Sequence, residues 1–175
     1  MGNNHEYRVD TTCSGPRKGI IRAEGILPSL SFSAPPEFLG EAGHWTPEHF
    51  LVASVASCFV STFSGIAERS RFEFASFDVE AEGVLSDEGG AWRFTQIKLW
   101  PSVSLLKEAD RERAIRLLEK AEKSCLIARS LQCAITMQPN VKVEEELVAP
   151  TEPTETCPRA AGKAPAHVEN FFHGR

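Results

Sequence analysis

Two cysteines carry most of the chemical promise of this chain. Cys58 lies inside its most apolar stretch, Thr46-Pro47-Glu48-His49-Phe50-Leu51-Val52-Ala53-Ser54-Val55-Ala56-Ser57-Cys58-Phe59, and Cys125 closes the run Lys123-Ser124-Cys125-Leu126-Ile127. Unpaired cysteine packs as a small hydrophobe, so core packing explains either position taken alone. Two thiols, each where an amphipathic pattern turns inward, also suit a dithiol peroxidase if they face one pocket. The residues leave both explanations open. Cys58 sits too deep in its helix to feel that helix's N-terminal field, so an ionised Cys58 requires a cation from elsewhere. Cys125, opening a short helix whose N-terminal dipole it could feel, has the better claim to reactivity. Glu48 stands in a first helical turn, where the dipole favours a carboxylate. It precedes Cys58 by ten residues, roughly 15 Å along one helix, so the two cannot touch within one chain. An antiparallel second copy crossing near Ala53 would bring Glu48 of one chain beside Cys58 of the other, and small Ala53, Ser54, Ala56 and Ser57 permit that approach. A symmetric dimer with two composite sites is therefore expected. Cys13, Cys133 and Cys157 are assigned no chemistry.

The elements that must position these residues follow from periodicity. Tyr7 to Cys13, Ile20-Ile21 and Ile26 to Phe32 read as short strands, broken at Gly15-Pro16 and Gly25. The apolar helix starts with Thr46 as N-cap and Pro47 in the first helical position, and ends near Arg69. Phe72 to Glu82 and Trp92 to Trp100 alternate at period two around Asp87-Glu88-Gly89-Gly90, which predicts a hairpin whose pairing stops at Pro101. A second helix over 110–123 carries the stripe Ala114, Ile115, Leu118, Ala121, which Cys125 continues at the next helical step. A short helix at 125–131 and a last strand over 134–144 complete an α+β domain at 1–144. Residues 145–175, rich in Pro, Thr and Glu, form an acidic tail that cannot bury a core and is expected to be disordered.

Composition narrows the class. The chain has 175 residues, 42% hydrophobic, with a net charge of −5 and no basic block, so nothing electrostatic invites nucleic acid or an anionic membrane. Residues 50–67 lack charge and approach a membrane span in length. Their serines, and the lack of a Lys/Arg-rich flank, favour instead a core helix that is apolar all round. The N-terminus shows neither a secretory h-region nor a myristoylation motif. Five cysteines, an odd number, then point to a reducing, cytoplasmic setting. No histidine and cysteine spacing suits zinc, and there is no phosphate loop, so no metal or cofactor is expected.

The run Thr46-Pro47-Glu48, Ala53, Ala56-Ser57-Cys58-Phe59, followed sixty-seven residues on by Ala121-Glu122-Lys123-Ser124-Cys125, resembles the OsmC/Ohr proteins (osmotically inducible protein C and organic hydroperoxide resistance protein). The resemblance covers about residues 5 to 144. It implies an intertwined homodimer in which two antiparallel sheets wrap around two long central helices. It also implies an antioxidant thiol peroxidase of the oxidative stress response that reduces organic hydroperoxides. By the same resemblance Cys58 is the peroxidatic thiolate and Cys125 the resolving thiol, with a Cys58–Cys125 disulfide reopened by a dithiol reductant (a lipoylated protein in some members). Glu48 would orient a loop arginine that stabilises the thiolate. Arg17, in Gly15-Pro16-Arg17-Lys18-Gly19, fits that place best, although Pro16 and Lys18 depart from the usual pattern and Arg22 is the substitute. Leu126 stands where the Ohr branch usually has proline, which places the chain nearer OsmC. Phe59, Phe50 or Ile127 would give the site an apolar lining suited to bulky peroxides. Two competitors use the same fold: a redox sensor or adaptor that oxidises once, and a small-molecule binding protein without peroxidase function.

Overall fold

The computed structural model describes residues 4–144, so the tail, its Cys157 and the boundary drawn at residue 145 lie outside the described residues. Strands β1 (Asp10–Gly15), β2 (Lys18–Ala23) and β3 (Ile26–Ser33) form an antiparallel meander. Helix α1 (Pro47–Arg69) follows, then the long hairpin β4 (Ser76–Asp87) and β5 (Trp92–Leu105). Helices α2 (Arg111–Ser124) and α3 (Leu126–Ser130) lead into β6 (Ala134–Met137) and β7 (Asn140–Val143), which both pair with β5 in parallel. The α+β expectation holds: two sheets and a long helix.

Local chemistry explains the boundaries. Thr46 caps α1 by accepting the His49 N–H at 3.3 Å, while His49 Nδ1 accepts the Thr46 N–H at 3.3 Å. This reciprocal box satisfies two otherwise unpaired donors. The β4–β5 turn uses Gly89 and Gly90 at φ 69 and 88, a region that glycine enters without steric penalty. In the hairpin, Asp78, Glu80 and Glu82 face outward while Phe77, Val79 and Ala81 pack inward.

Two expectations need correction here. Pairing does not stop at Pro101, because β5 runs on to Leu105 with Pro101 opposite Val79. And the strand expected over 134–144 is one track in constant register with β5, interrupted at Gln138-Pro139. Continuing that register puts Pro139 opposite Pro101. Neither proline has an N–H to give, so the ladder lapses at the one place where the loss is shared. Gln138 bridges the gap, its N–H reaching Leu99 O at 2.9 Å and its Oε1 accepting from Trp100 Nε1 at 3.2 Å.

The core lies where α1 and α2 meet the hairpin. Val55, Phe59 and Phe63 of α1 are fully buried with Ile97, Leu99 and Val103 of β5 and with Leu118 and Ala121 of α2. Phe63 lies 4.2 Å from Phe77, centroid to centroid. By length and composition α1 could cross a membrane, but its buried face lines this core. It is not enclosed on all sides as its sequence suggests. Leu51, Val52, Ala56 and Val60 remain half-buried, because the described chain offers the helix packing partners on one side only. The β1–β3 meander is barer still: Asp10 to Ser14 are exposed, and Leu27 is 91% exposed.

Phe63→Ala should cost about 3–5 kcal/mol in chemical denaturation, as expected for removing a fully buried aromatic ring. A loss below 1 kcal/mol would mean that the site collapses around the void.

Candidate thiol site

Cys125 is the hinge of this site. It ends α2 by donating its N–H to Ala121 O at 2.9 Å, then leaves helical geometry at ψ 109 and caps α3. A break of this kind frees the first N–H groups of the next helix from intrahelical partners. The helical ladder resumes only at Arg129, whose N–H reaches Cys125 O at 3.1 Å. The N–H groups at this break act on the two thiols: those of Ile127 and Leu126 lower the pKa of Cys58, and those of Ala128 and Ile127 work to lower that of Cys125.

Cys58 reaches this place from α1 and is half-buried; Cys125 is fully buried. Both are free thiols. Each thiol bears on the protonation of the other, and Thr62, one turn along α1, stands 3.9 Å from Cys58 Sγ through its hydroxyl. The environment pushes the two thiols in opposite directions. Burial acts to raise Cys58, but the Ile127 N–H, the Cys125 thiol, the Thr62 hydroxyl and the Leu126 N–H together outweigh it and hold Cys58 below the usual thiol range. For Cys125 burial prevails, and the neighbouring Cys58 sulfur adds to it, so Cys125 is pushed up.

The lowered thiol is therefore Cys58, although the start of a short helix had given Cys125 the better claim to reactivity. The Ile127 N–H serves both thiols, that of Leu126 acts on Cys58, and that of Ala128 acts on Cys125. Leu126 and Ile127 act through their backbone, which no side-chain pattern reveals. Thr62 was legible in principle, as a hydroxyl four residues from Cys58 on the same helix face.

The remaining predicted residues gather at the other end of α1. One Glu48 carboxylate oxygen, Oε2, is buried without a hydrogen-bond partner among the described residues. It borders a cavity of about 330 Å³ between Pro35, His49, Gly83 and Phe94. Arg17 lies on a second cavity of about 560 Å³, which Pro47, next to Glu48, also lines. Its Nη1 donates to Phe38 O at 2.8 Å, and it forms no ion pair among the described residues. Arg17 adopts φ 58 in the β1–β2 turn, a left-handed conformation that costs a non-glycine residue roughly 1–2 kcal/mol. Arg22, the substitute, instead lies on β2 with Nη1 3.4 Å from Thr12 Oγ1.

Within one chain the thiol pair thus lies at one place, and Arg17 and Glu48 lie away from it, lining separate cavities near the start of α1. Of the expected apolar lining, Ile127 stands beside Cys58. Phe59 points into the core, and Phe50 stacks on Trp45 at 5.8 Å.

Comparisons with known proteins agree with this architecture. Residues 40–140 match the family model described as OsmC-like protein. The uncharacterized protein YmaD of Bacillus subtilis is 28% identical over 146 residues, covering 81% of this chain and 96% of that protein. An OsmC-like protein of unknown function from Vibrio cholerae superposes with a TM-score of 0.69 at 21% identity, over 78% of this chain and 99% of its own. An organic hydroperoxide resistance protein OsmC from Legionella pneumophila gives a TM-score of 0.64 at 20% identity, over 81% and 100%.

Opposite shifts predict opposite reactivity. In the reduced protein, Cys58 should be alkylated by iodoacetamide with a midpoint pH below that of an ordinary thiol, and Cys125 only above it, as read by peptide mapping across pH. Since Thr62 supports the thiolate, Thr62→Val should move the Cys58 midpoint upward. A midpoint that stays put would remove Thr62 from the site.

Proposed function

Since the chain belongs to the OsmC-like protein family, we propose that it is a cysteine-based thiol peroxidase reducing organic hydroperoxides, with Cys58 as nucleophile and Cys125 as resolving thiol. The observation that carries this reading is the pair of mutually interacting thiols, one lowered and one raised. A peroxidatic thiol must be ionised when peroxide arrives, whereas its partner should stay protonated until a sulfenic acid has formed. The Cys58 thiolate attacks the distal peroxide oxygen. The O–O bond breaks, the alcohol departs with a proton, and Cys58 becomes a sulfenic acid. Cys125 then attacks that sulfur, water leaves, and a Cys58–Cys125 disulfide forms. An external dithiol returns both thiols by exchange and is itself oxidised to a disulfide. A lipoylated protein has the required chemistry.

The working unit is a homodimer. The half-covered α1, the bare β1–β3 meander and the unpaired Glu48 oxygen all support a second copy. Antiparallel α1 helices crossing near Ala53 would set Arg17 and Glu48 of one copy beside Cys58 of the other. Glu48 there orients the Arg17 guanidinium, which adds a cation to the N–H groups already serving the thiolate. A buried carboxylate oxygen without a donor is costly by itself, and an arginine satisfies it. Thiol chemistry of this kind places the protein in a reducing, cytoplasmic setting.

Intact-mass and peptide mapping after one equivalent of cumene hydroperoxide tests the mechanism. Wild type should yield a Cys58–Cys125 disulfide, and Cys125→Ser a sulfenic acid on Cys58. Unmodified Cys58 in both would end the enzyme reading, and a single oxidation without turnover in excess dithiol would leave only a sensor. Sedimentation equilibrium should return twice the 19.3 kDa chain mass; a monomer at micromolar concentration would refute the composite site.

A further inference from the structure

We propose that Glu41 is a positioning residue for Arg17, its carboxylate clamping the β1–β2 turn through Lys18 so that the guanidinium is presented at a fixed place. The inference rests on the peroxidase reading of Arg17. It starts from a turn that would not hold itself. Gly15 pairs with Lys18, leaving Pro16 and Arg17 as a two-residue connection. Arg17 occupies the left-handed region at φ 58, where such a turn ordinarily carries glycine or asparagine. A strained residue of this kind persists only where its surroundings over-determine it.

The segment between β3 and α1 supplies that over-determination at three points. The Ala34 N–H donates to Arg17 O at 2.8 Å, Arg17 Nη1 donates to Phe38 O at 2.8 Å, and Lys18 Nζ donates to Glu41 Oε1 at 2.6 Å. The third is the only one of these contacts made between two side chains. Glu41 is itself anchored, because its N–H donates at 2.8 Å to the hydroxyl of Ser33, a fully buried residue at the end of β3. One residue before it, Gly40 lies so close to Ala34 that a Cβ would come within 1.6 Å of the Ala34 carbonyl oxygen. Glu41 therefore joins a rigid strand end, through its backbone, to the turn, through its side chain. The Lys18 hydrogen bond and charge hold its carboxyl below the usual range, so the clamp is charged at neutral pH. Its other oxygen lies 3.6 Å from His44 Nε2.

Magnitudes separate positioning from stability. The Lys18–Glu41 pair is substantially exposed, and exposed ion pairs contribute little to folding. Reaction rates respond far more steeply, since a misplacement of about 1 Å can cost on the order of a hundredfold. Loss of the clamp should therefore slow Cys58 oxidation while leaving the fold intact.

The experiment compares full-length wild type, Glu41→Gln, Arg17→Asn and the double variant. Asparagine tolerates the left-handed turn, so Arg17→Asn removes the cation without breaking the loop. Two readouts are taken: the second-order rate of Cys58 oxidation by cumene hydroperoxide, and the midpoint pH of Cys58 alkylation. Glu41→Gln should lower the rate about tenfold and raise the midpoint by part of the Arg17→Asn shift, with Tm and oligomeric mass unchanged. On the Arg17→Asn background it should change neither readout. A Glu41→Gln protein with wild-type rate and midpoint would overturn the proposal, as would an effect that persists undiminished without Arg17. If wild-type Cys58 resists peroxide altogether, the peroxidase reading falls, and the alkylation midpoints alone still decide for or against the clamp.

Discussion

The break in helical geometry at Cys125, which leaves the first N–H groups of α3 to act on the two thiols, is the constraint on which the rest of this structure depends. A buried backbone N–H without a partner is costly, so every helix start must send its first donors somewhere. Here the chain breaks helical geometry at Cys125, and the N–H groups of Leu126 and Ile127 lower Cys58 while those of Ala128 and Ile127 act on Cys125, where burial prevails. Sulfur in a neutral thiol accepts weakly, whereas a thiolate accepts strongly. Holding these donors beside Cys58 is thus the requirement that its lowered pKa imposes. The buried stripe of α2 and the α1 face bearing Phe59 and Phe63 hold the two helices in the register that this requirement needs.

A second constraint is the incompleteness of the single chain. Glu48 and Cys58 share one rigid helix, and a helix fixes their separation whatever the surroundings. Arg17 joins Glu48 at the same end, through the cavity it shares with Pro47. On the proposed function, Arg17, Glu48 and Cys58 would form one thiolate site only across two copies of the chain. The half-covered α1 and the exposed meander express the same geometry at the level of packing.

Much of this was legible in the sequence where local rules act alone. The α1 boundaries followed from Thr46, Pro47 and Arg69, and the hairpin turn from Gly89-Gly90, because caps and turns depend on a few neighbouring residues. The family followed from the spacing of Glu48, Cys58 and Cys125. What failed was tertiary. Pro101 reads as a strand terminator, and only the register with β7 shows that its missing N–H falls opposite another proline. Apolar α1 reads as buried all round, because composition does not say whose residues cover a face. The source of the Cys58 shift was not legible, because it includes main-chain groups delivered by a different helix. Glu41 drew no attention, since an exposed glutamate in a loop has no signature until its partner is known.

The same backbone donors bear on redox poise. A Cys58–Cys125 disulfide would carry no negative charge and would accept the α3 N–H groups poorly, leaving donors underserved that the dithiol state satisfies. Whatever stabilises the reduced form relative to the oxidised one makes the disulfide a stronger oxidant. The bond would then be easily reopened, unlike a structural cross-link. On the proposed mechanism, the break at Cys125 would set the direction of electron flow as well as the reactivity of Cys58.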